Sequence, residues 1–404
     1  MTEPDIARAA ERVVSDHFDA DVRLELAYLV PDRRISVVAR LRTVTAPSHV
    51  PPTVIVKAAH PTFPGAADEI RNEWAALALL TELAGTGEPL CPRLYGGDAS
   101  TPMVVMEDLG SGDGSPAHVV EGDDPDAATA SLLAYIEAIA RLHVTTRGHR
   151  DTFQRLRSAI GPVRPPKPLF HDPWSEAVAR TDEEVVTAIG EYHAVLTSLG
   201  VRALSGVDDE IAEATWRVEH DPGPWLALCQ GDQNGQGNSL LRDGRLRLHD
   251  FGSGGFRHAL IEGVPHRITW GCIRRVPDTV ATAMDSAYQA AIPREATPSF
   301  VDAATYALTR WHVFHVIWRV PDALRRDRPR GPATLRQQTI AWIAAYVEWS
   351  DRHGVAMALA GTARRIVQRL RELWPPYTHT IEYLPAYRGV TRVTAHDEPS
   401  RRRL

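Results

Sequence analysis

Lysine is almost missing from this sequence of 404 residues. Of its 45 lysines and arginines, only Lys57 and Lys167 are lysines, and the other 43 are arginines. Lys57 stands near the end of an apolar, β-branched stretch, TVIVKA at residues 53–58. A compact ammonium and a forked guanidinium are not interchangeable at a binding site. The placement of Lys57 therefore raises the question of which task arginine would not perform there.

The sequence also has few cysteines, no long apolar stretch and no excess of positive charge. The three cysteines are odd in number and far apart, which excludes a fully paired disulfide framework and a CxxC metal knuckle and favours a reducing compartment. No stretch approaches about 18 uncharged apolar residues, so we expect no membrane span. The N-terminus is acidic and amphipathic, unlike a secretory signal, and a cytoplasmic protein is expected. A net charge of -6 argues against general nucleic-acid binding.

The hydrophobic pattern predicts a small antiparallel sheet with one main helix, followed by a mainly helical region. Alternating or β-branched apolar stretches predict strands at 22–30, 34–44, 53–58, 92–98 and 102–110. Helical spacing of apolar residues predicts helices at 5–19, 67–85 and 125–147. Beyond these, residues 225–255 combine apolar runs with loops and an Arg-Asp-Gly hairpin turn, while most of the remaining chain has helical patterns.

Two short polar motifs carry the most specific chemical signal. QGDQNGQGN at residues 230–238 is followed by a hairpin pattern and then by LHDFG at 248–252. An aspartate in a polar loop, a nearby amide and a second aspartate after a hairpin suit phosphoryl transfer, because one aspartate positions a hydroxyl while the amide and the other aspartate hold Mg²⁺. Either half alone would be interpreted as a polar turn between strands. Both halves in this order favour the functional interpretation.

These motifs resemble those of the aminoglycoside-phosphotransferase-like and choline-kinase-like small-molecule kinases. That family carries a His-Gly-Asp loop, an asparagine five residues after the aspartate, and an Asp-Phe-Gly-like segment about eighteen residues after it. Asp250, followed by Phe251, lies eighteen residues after Asp232. The resemblance implies that Asp232 is the catalytic aspartate and Asp250 a metal ligand. It also implies an α+β, two-lobed protein-kinase-like fold, with Mg²⁺ as cofactor and ATP or GTP as phosphoryl donor.

The catalytic loop departs from the family pattern at two places. Gln230 stands where the family usually has histidine, and we expect it to support the loop by hydrogen bonding. Asn238 lies six residues after Asp232 rather than five. Asn238 is still the preferred second metal ligand, with Gln236 and Asn234 as lesser candidates.

The resemblance also requires a lysine on the third strand, gripping the nucleotide phosphates, and a glutamate on the next helix that holds it. Lys57 ends the third predicted strand, and Glu73 lies in the following predicted helix. The segment MVVMEDLG at 103–110 resembles the strand and hinge that bind adenine, where the carbonyl of Glu107 and the amide of Leu109 would form hydrogen bonds. The first hairpin lacks the glycines of protein kinases, which favours a small-molecule acceptor. His143 is expected to be a core residue.

The domain prediction follows from this resemblance. Residues 1–109 would form the nucleotide-binding lobe. Residues 110–390 would form a helical lobe with the catalytic loop, the metal-binding segment and the acceptor site, and 391–404 a flexible tail.

The predicted function is phosphoryl transfer from ATP or GTP to a hydroxyl of a small molecule, an antibiotic or another hydroxylated metabolite. Residues 301–404 hold 17 arginines against 9 acidic residues, which favours a neutral or anionic acceptor over a polycation. A nucleotide-binding pseudokinase that acts as a regulator or scaffold is the alternative, and a protein kinase ranks lower. The acceptor, the preferred nucleotide and the oligomeric state stay open.

Overall fold

The computed structural model describes residues 3–30, 35–63, 65–110, 115–163, 181–231, 237–242, 245–267, 274–293, 300–330, 333–375 and 381–388. The described residues form two compact units. One comprises those within Met1–Ser115, Leu142–Pro165 and Leu226–Phe256, and the other those within Pro116–Arg141, Pro166–Trp225 and Arg257–Leu404. The segment with the predicted metal-binding aspartate thus groups with the N-terminal strands.

The first unit contains most of the strands, and helices dominate the second. The strands are β1 (Arg23–Leu29), β2 (Ser36–Thr45), β3 (Thr53–Ala59), β4 (Leu94–Asp98), β5 (Met103–Glu107), β6 (Leu226–Cys229), β7 (Ser239–Arg242), β8 (Arg245–Leu248), β9 (Gly255–His258), β10 (Pro329–Arg330) and β11 (Ala333–Thr334). The α-helices are α1 (Glu3–Phe18), α2 (Ala66–Ala84), α3 (Pro116–Val119), α4 (Pro125–Thr146), α5 (Arg150–Ile160), α6 (Thr181–Leu199), α7 (Val207–Glu219), α8 (Leu260–Gly263), α9 (Asp278–Ala291), α10 (Phe300–Arg325), α11 (Leu335–His353) and α12 (Met357–Leu373).

The first unit is built on a five-stranded sheet in the order β1-β2-β3-β5-β4, with every neighbouring pair antiparallel. Side chains alternate along β3, so Val54, Val56 and Ala58 are fully buried on one face while Lys57 is on the other. Helix α1 packs apolar residues such as Val14 into the same core as Val54 and Val56. The α+β class predicted from the sequence, with its antiparallel N-terminal sheet, is confirmed.

Helix α2 lies close to the sheet because a glycine makes room for it. A Cβ added to Gly97 on β4 would lie 2.7 Å from ring carbons of Trp74 on α2. The helix begins after Gly65, which has φ +86°, and ends at Gly85, which has φ +55°. Left-handed backbone of this kind favours glycine, so both ends of α2 are set by the sequence.

The second unit holds long helices with polar groups buried between them. Helix α11 begins with a capping box, in which the Thr334 hydroxyl accepts from the Gln337 amide and the Gln337 side chain accepts from the Thr334 amide at 2.8 Å. His312 on α10 lies 3.0 Å from the Tyr192 hydroxyl and stacks on the Tyr346 ring. Burial lowers the pKa of His312 to about 3, so its imidazole is neutral at physiological pH.

The predicted strands and helices agree with the observed bounds to within a few residues. The predicted Arg-Asp-Gly turn between β7 and β8 lies partly outside the described residues, and the predicted tail at 391–404 lies wholly outside them. Among the described helices, none combines the length and apolar character needed to span a bilayer.

Candidate active site

Lys57 and Glu73 form the centre of the site. Register places Lys57 between Val38 on β2 and Val104 on β5, in the middle of the sheet. Its ammonium donates to the Glu73 carboxylate of α2 at 2.5 Å. The two side chains are only 13% and 2% exposed. The strand lysine and the helix glutamate predicted from the sequence are therefore brought together by the structure.

Asp250 completes the group. Its carboxylate also accepts from the Lys57 ammonium, and its side chain is 34% exposed, so it reaches solvent where Glu73 does not. One cation is thus shared by two carboxylates, Glu73 on α2 and Asp250 after β8, that lie 177 positions apart in the sequence.

Burial and charge oppose each other at this group. Burial by itself lowers the pKa of Lys57, but the carboxylates of Glu73 and Asp250 outweigh burial and hold that pKa above its ordinary value. Burial raises the pKa of Glu73, an effect that Lys57 opposes and the charge of Asp250 reinforces. The ammonium is therefore charged at neutral pH, and its proton is not available for acid catalysis. Its chemistry is electrostatic.

The backbone around Asp250 is strained in a way that orients the carboxylate. Asp250 has φ +66°, a conformation that L residues seldom adopt. The next residue, Phe251, is fully buried, and its backbone amide hydrogen-bonds the Glu73 carboxylate. A buried anchor directly after a left-handed residue fixes where the Asp250 carboxylate points. Strain of this kind concentrates at functional sites.

Gln230 supports the loop that precedes the hairpin. Its side chain is fully buried, and its amide donates to the carbonyl of Asn238 at 2.8 Å and to the carbonyl of His249. The His249 amide donates to the same Asn238 carbonyl at 2.9 Å. Gln230 is thus hydrogen-bonded to the residue just before β7, Asn238, and to the residue just after β8, His249. These two bonds give it the supporting role expected from the sequence.

Two glycines let residues 229–231 and residues 251–254 pass each other closely. Gly231 has φ +92°, and a Cβ there would lie 2.0 Å from the Ser253 carbonyl oxygen. A Cβ on Gly254 would lie 2.9 Å from the Cys229 carbonyl oxygen. Neither position has room for a side chain.

The predicted catalytic aspartate, Asp232, lies outside the described residues, as do Asn234 and Gln236. Asn238 is described, and its backbone is tied beside His249, next to Asp250. A carboxylate and a side-chain amide are hard oxygen donors of the kind that Mg²⁺ takes. By their chemistry, the partly exposed Asp250 carboxylate and the side-chain amide of Asn238 suit a magnesium ion.

The predicted adenine-binding segment is held by three arginines that sequence analysis did not single out. Arg247 on β8 donates to the Glu107 carboxylate at 2.7 Å. Arg40 on β2 donates to Asp108 at 2.9 Å, and Arg242 on β7 donates to the Leu109 carbonyl at 3.0 Å. Because the chain has 43 arginines, nothing in the composition distinguishes these three from the others.

His143 is the core residue that the sequence predicts. It is 3% exposed, and its ring lies 3.7 Å from the thiol sulfur of Cys229 on β6. Cys91 and Cys229 are both buried, and neither is joined in a disulfide within the described residues. Burial raises the pKa of Cys91 to about 12, which makes it unreactive at neutral pH.

Three solved structures to which this chain is similar are small-molecule kinases. A choline/ethanolamine kinase family protein from Mesorhizobium loti is 16% identical with a TM-score of 0.41, over 90% of this chain and all of that one. A mutant aminoglycoside 2'-phosphotransferase-IIIa in complex with GDP is 11% identical with a TM-score of 0.44, over 87% and 99%. A choline kinase from Streptococcus pneumoniae is 14% identical with a TM-score of 0.36, over 88% and 98%.

These structures come from the two classes of kinase that the sequence motifs resemble. No protein-family model and no curated protein matches the chain.

Proposed function

We propose that this protein is a nucleotide-dependent phosphotransferase that transfers the γ-phosphoryl group of ATP or GTP to a hydroxyl of a small molecule. The observation that carries the proposal is the convergence of Lys57, Glu73 and Asp250. A buried ammonium shared by a helix carboxylate and by a solvent-reaching carboxylate after a hairpin suits binding of a nucleotide with its metal ion.

Each residue has a separate task in this proposal. Lys57, held by Glu73, grips the phosphates of the nucleotide and offsets their charge. Asp250 and Asn238 would hold Mg²⁺, which supplies charge neutralisation on the phosphates. Asp232 orients the acceptor hydroxyl and takes its proton. Because phosphoryl transfer depends mainly on positioning and charge, these side chains account for the chemistry.

The base would bind along residues 107–109. The proposed contacts are the Glu107 carbonyl and the Leu109 amide, and the Leu109 carbonyl already accepts from Arg242. The arginines that hold this segment keep it preorganised, which reduces the entropy lost on binding.

The acceptor we propose is neutral or anionic. A pocket for a polycation would be lined with carboxylates, whereas residues 301–404 carry 17 arginines against 9 acidic residues. The arginine excess supports a hydroxylated metabolite over an aminoglycoside. A cytoplasmic setting is part of this proposal and is supported by Cys91 and Cys229, which form no disulfide within the described residues.

A coupled ADP- and GDP-release screen tests the function. Mg·ATP and Mg·GTP are each paired with sugars, nucleosides, amino alcohols and aminoglycosides, and Asp250→Ala provides the blank. We expect turnover with a neutral or anionic acceptor, and loss of turnover with retained nucleotide binding in Asp232→Ala. Wild-type turnover by Asp232→Ala would remove that aspartate from the mechanism. Nucleotide binding without turnover on any acceptor would instead favour the pseudokinase, which the six-residue spacing from Asp232 to Asn238 motivates.

A further inference from the structure

Helix α5 carries a buried arginine that the proposed function does not use. The Arg157 side chain is 3% exposed, whereas Arg155 on the same helix is exposed to solvent. A buried guanidinium is costly unless its N–H groups are paired. Its partners therefore show what holds it there.

Arg157 reaches across to α2 and binds two of its residues. Its Nε donates to the Asn72 side-chain oxygen at 2.7 Å, and its Nη2 donates to the Asp68 carboxylate. Residues four apart lie on one face of a helix, so a forked guanidinium can hold both acceptors at once. The same guanidinium donates to the carbonyls of Gly161 at 3.2 Å and Pro162 at 3.0 Å, the residues that follow α5.

Asp68 lies in the first turn of α2. The residue before the helix is Gly65, which offers no side-chain cap. In many helices a capping side chain fixes this end. Here the contact of Asp68 with Arg157 ties the first turn of α2 to α5.

Asn72 extends the contact to the metal-binding segment. Its side-chain amide donates to the Gly252 carbonyl at 3.4 Å, two residues after Asp250. Glu73, the next residue on α2, accepts from the backbone amide of Phe251 and from Lys57. Arg157, Asn72 and the segment after Asp250 thus form one continuous set of hydrogen bonds beside the Lys57 pair.

We propose that Arg157 is a positioning residue for the Lys57–Glu73 pair, acting through Asp68 and Asn72 on the placement of α2. The inference rests on the proposed function, because the pair matters through its grip on nucleotide phosphates. Without Arg157, α2 loses the contact that fixes its position along its own axis and its rotation about that axis, relative to the segment after Asp250. Glu73 then no longer holds the ammonium in one place.

The experiment is a double-mutant cycle read by calorimetric binding of Mg·ATP and Mg·GTP. Arg157→Met removes the guanidinium, and we expect Kd to rise about tenfold, as for loss of a charged hydrogen bond. Arg155→Met on the same helix is the matched control, and its Kd should stay within about twofold because, among the described residues, the hydrogen bond of this exposed arginine is to Thr152 of its own helix. In a Glu73→Gln background, Arg157→Met should add about twofold or less, since the pair is already broken.

Additive losses in both backgrounds, or wild-type binding by Arg157→Met, would overturn the inference. Thermal unfolding of each variant checks that the fold persists. If Arg157→Met fails to fold, Asn72→Asp replaces it in the cycle. That variant keeps an acceptor for Arg157 but cannot donate to Gly252, and it should weaken binding only where Glu73 is intact.

A wild-type protein that binds neither nucleotide would sink the proposed function, and a second measurement then decides the inference. Amide hydrogen exchange of the nucleotide-free protein reports the order of α2 directly. Exchange across residues 66–84 should be faster in Arg157→Met than in Arg155→Met. Equal exchange in the two variants would refute a positioning role.

Discussion

The Lys57 ammonium lies 2.5 Å from the Glu73 carboxylate, and the pair is almost fully withdrawn from solvent. Solvent competes little at such a site, so the geometry of the cation matters as much as its charge. This explains why a chain with 43 arginines and two lysines has lysine here.

The first prediction concerns that choice of cation. Lys57→Arg keeps the charge but places a larger, forked group between Glu73 and Asp250. We expect kcat/KM for the nucleotide to fall about 10- to 100-fold, the loss typical of a charged hydrogen bond. Initial rates with the acceptor found by the screen measure it, and Lys167→Arg is the matched control. Equal rates for both variants would contradict a special role for the ammonium.

The second prediction separates metal binding from nucleotide binding. Asp250→Asn keeps the shape of the side chain but removes its negative charge. Mg·ATP should bind about tenfold more weakly, while ATP in EDTA should bind no more weakly than to the wild type, because a carboxylate facing phosphate is gone. Calorimetry with and without Mg²⁺ checks this. An equal loss under both conditions would argue against Asp250 as a metal ligand.

The third prediction concerns the crossing of Gly231 and Ser253. Gly231→Ala adds a Cβ 2.0 Å from the Ser253 carbonyl oxygen, whereas Gly148, with φ +80°, has no heavy atom within 4 Å of such a Cβ. Both alanines carry a left-handed backbone cost of about 1–2 kcal/mol. Gly231→Ala should lose about 1–3 kcal/mol more from overpacking. Urea unfolding gives the free energy of unfolding of both variants. Equal losses would show that the backbone at Gly231 and Ser253 moves apart without cost.

The fourth prediction concerns pH and His312. Burial lowers the folded-state pKa of His312 to about 3, below the ordinary 6.5. Because the unfolded chain binds the proton first, the free energy of unfolding should fall as pH drops from about 6.5 towards 3, by up to about 1.4 kcal/mol per pH unit. His312→Gln should flatten this dependence, while His193→Gln, at a side chain that is 41% exposed, should keep it. Thermal unfolding at several pH values measures the difference, and parallel curves for all three proteins would contradict it.

Sequence patterns predicted much of the first unit for a physical reason. The alternation along β3 is local, so Val54, Val56 and the opposite-facing Lys57 could be placed from spacing alone. Glu73 followed because the resemblance to the small-molecule kinases requires a glutamate on the next helix, and one helical segment comes next in the chain. The rarity of lysine supplied the contrast that made the pair visible.

The supporting contacts were not predictable in the same way. Arg157 and Asn72 are 85 positions apart, and Arg247 and Glu107 are 140 positions apart. No periodicity links residues at such separations, because the contact depends on how whole elements pack. An arginine among 43 also gives no compositional signal.

The hydrogen bonds that hold Asn238 show which spacing in the sequence the structure constrains, that from Asp232 to Asn238 or that from Asn238 to Asp250. Gln230 and the His249 amide both hold the Asn238 carbonyl, so the two ends of the intervening loop are fixed by hydrogen bonds rather than by residue count. An extra residue between Gln230 and Asn238 therefore leaves the positions of Asn238 and Asp250 unchanged. Search patterns for chains of this type should therefore fix the distance from asparagine to the second aspartate and let the distance from the first aspartate vary.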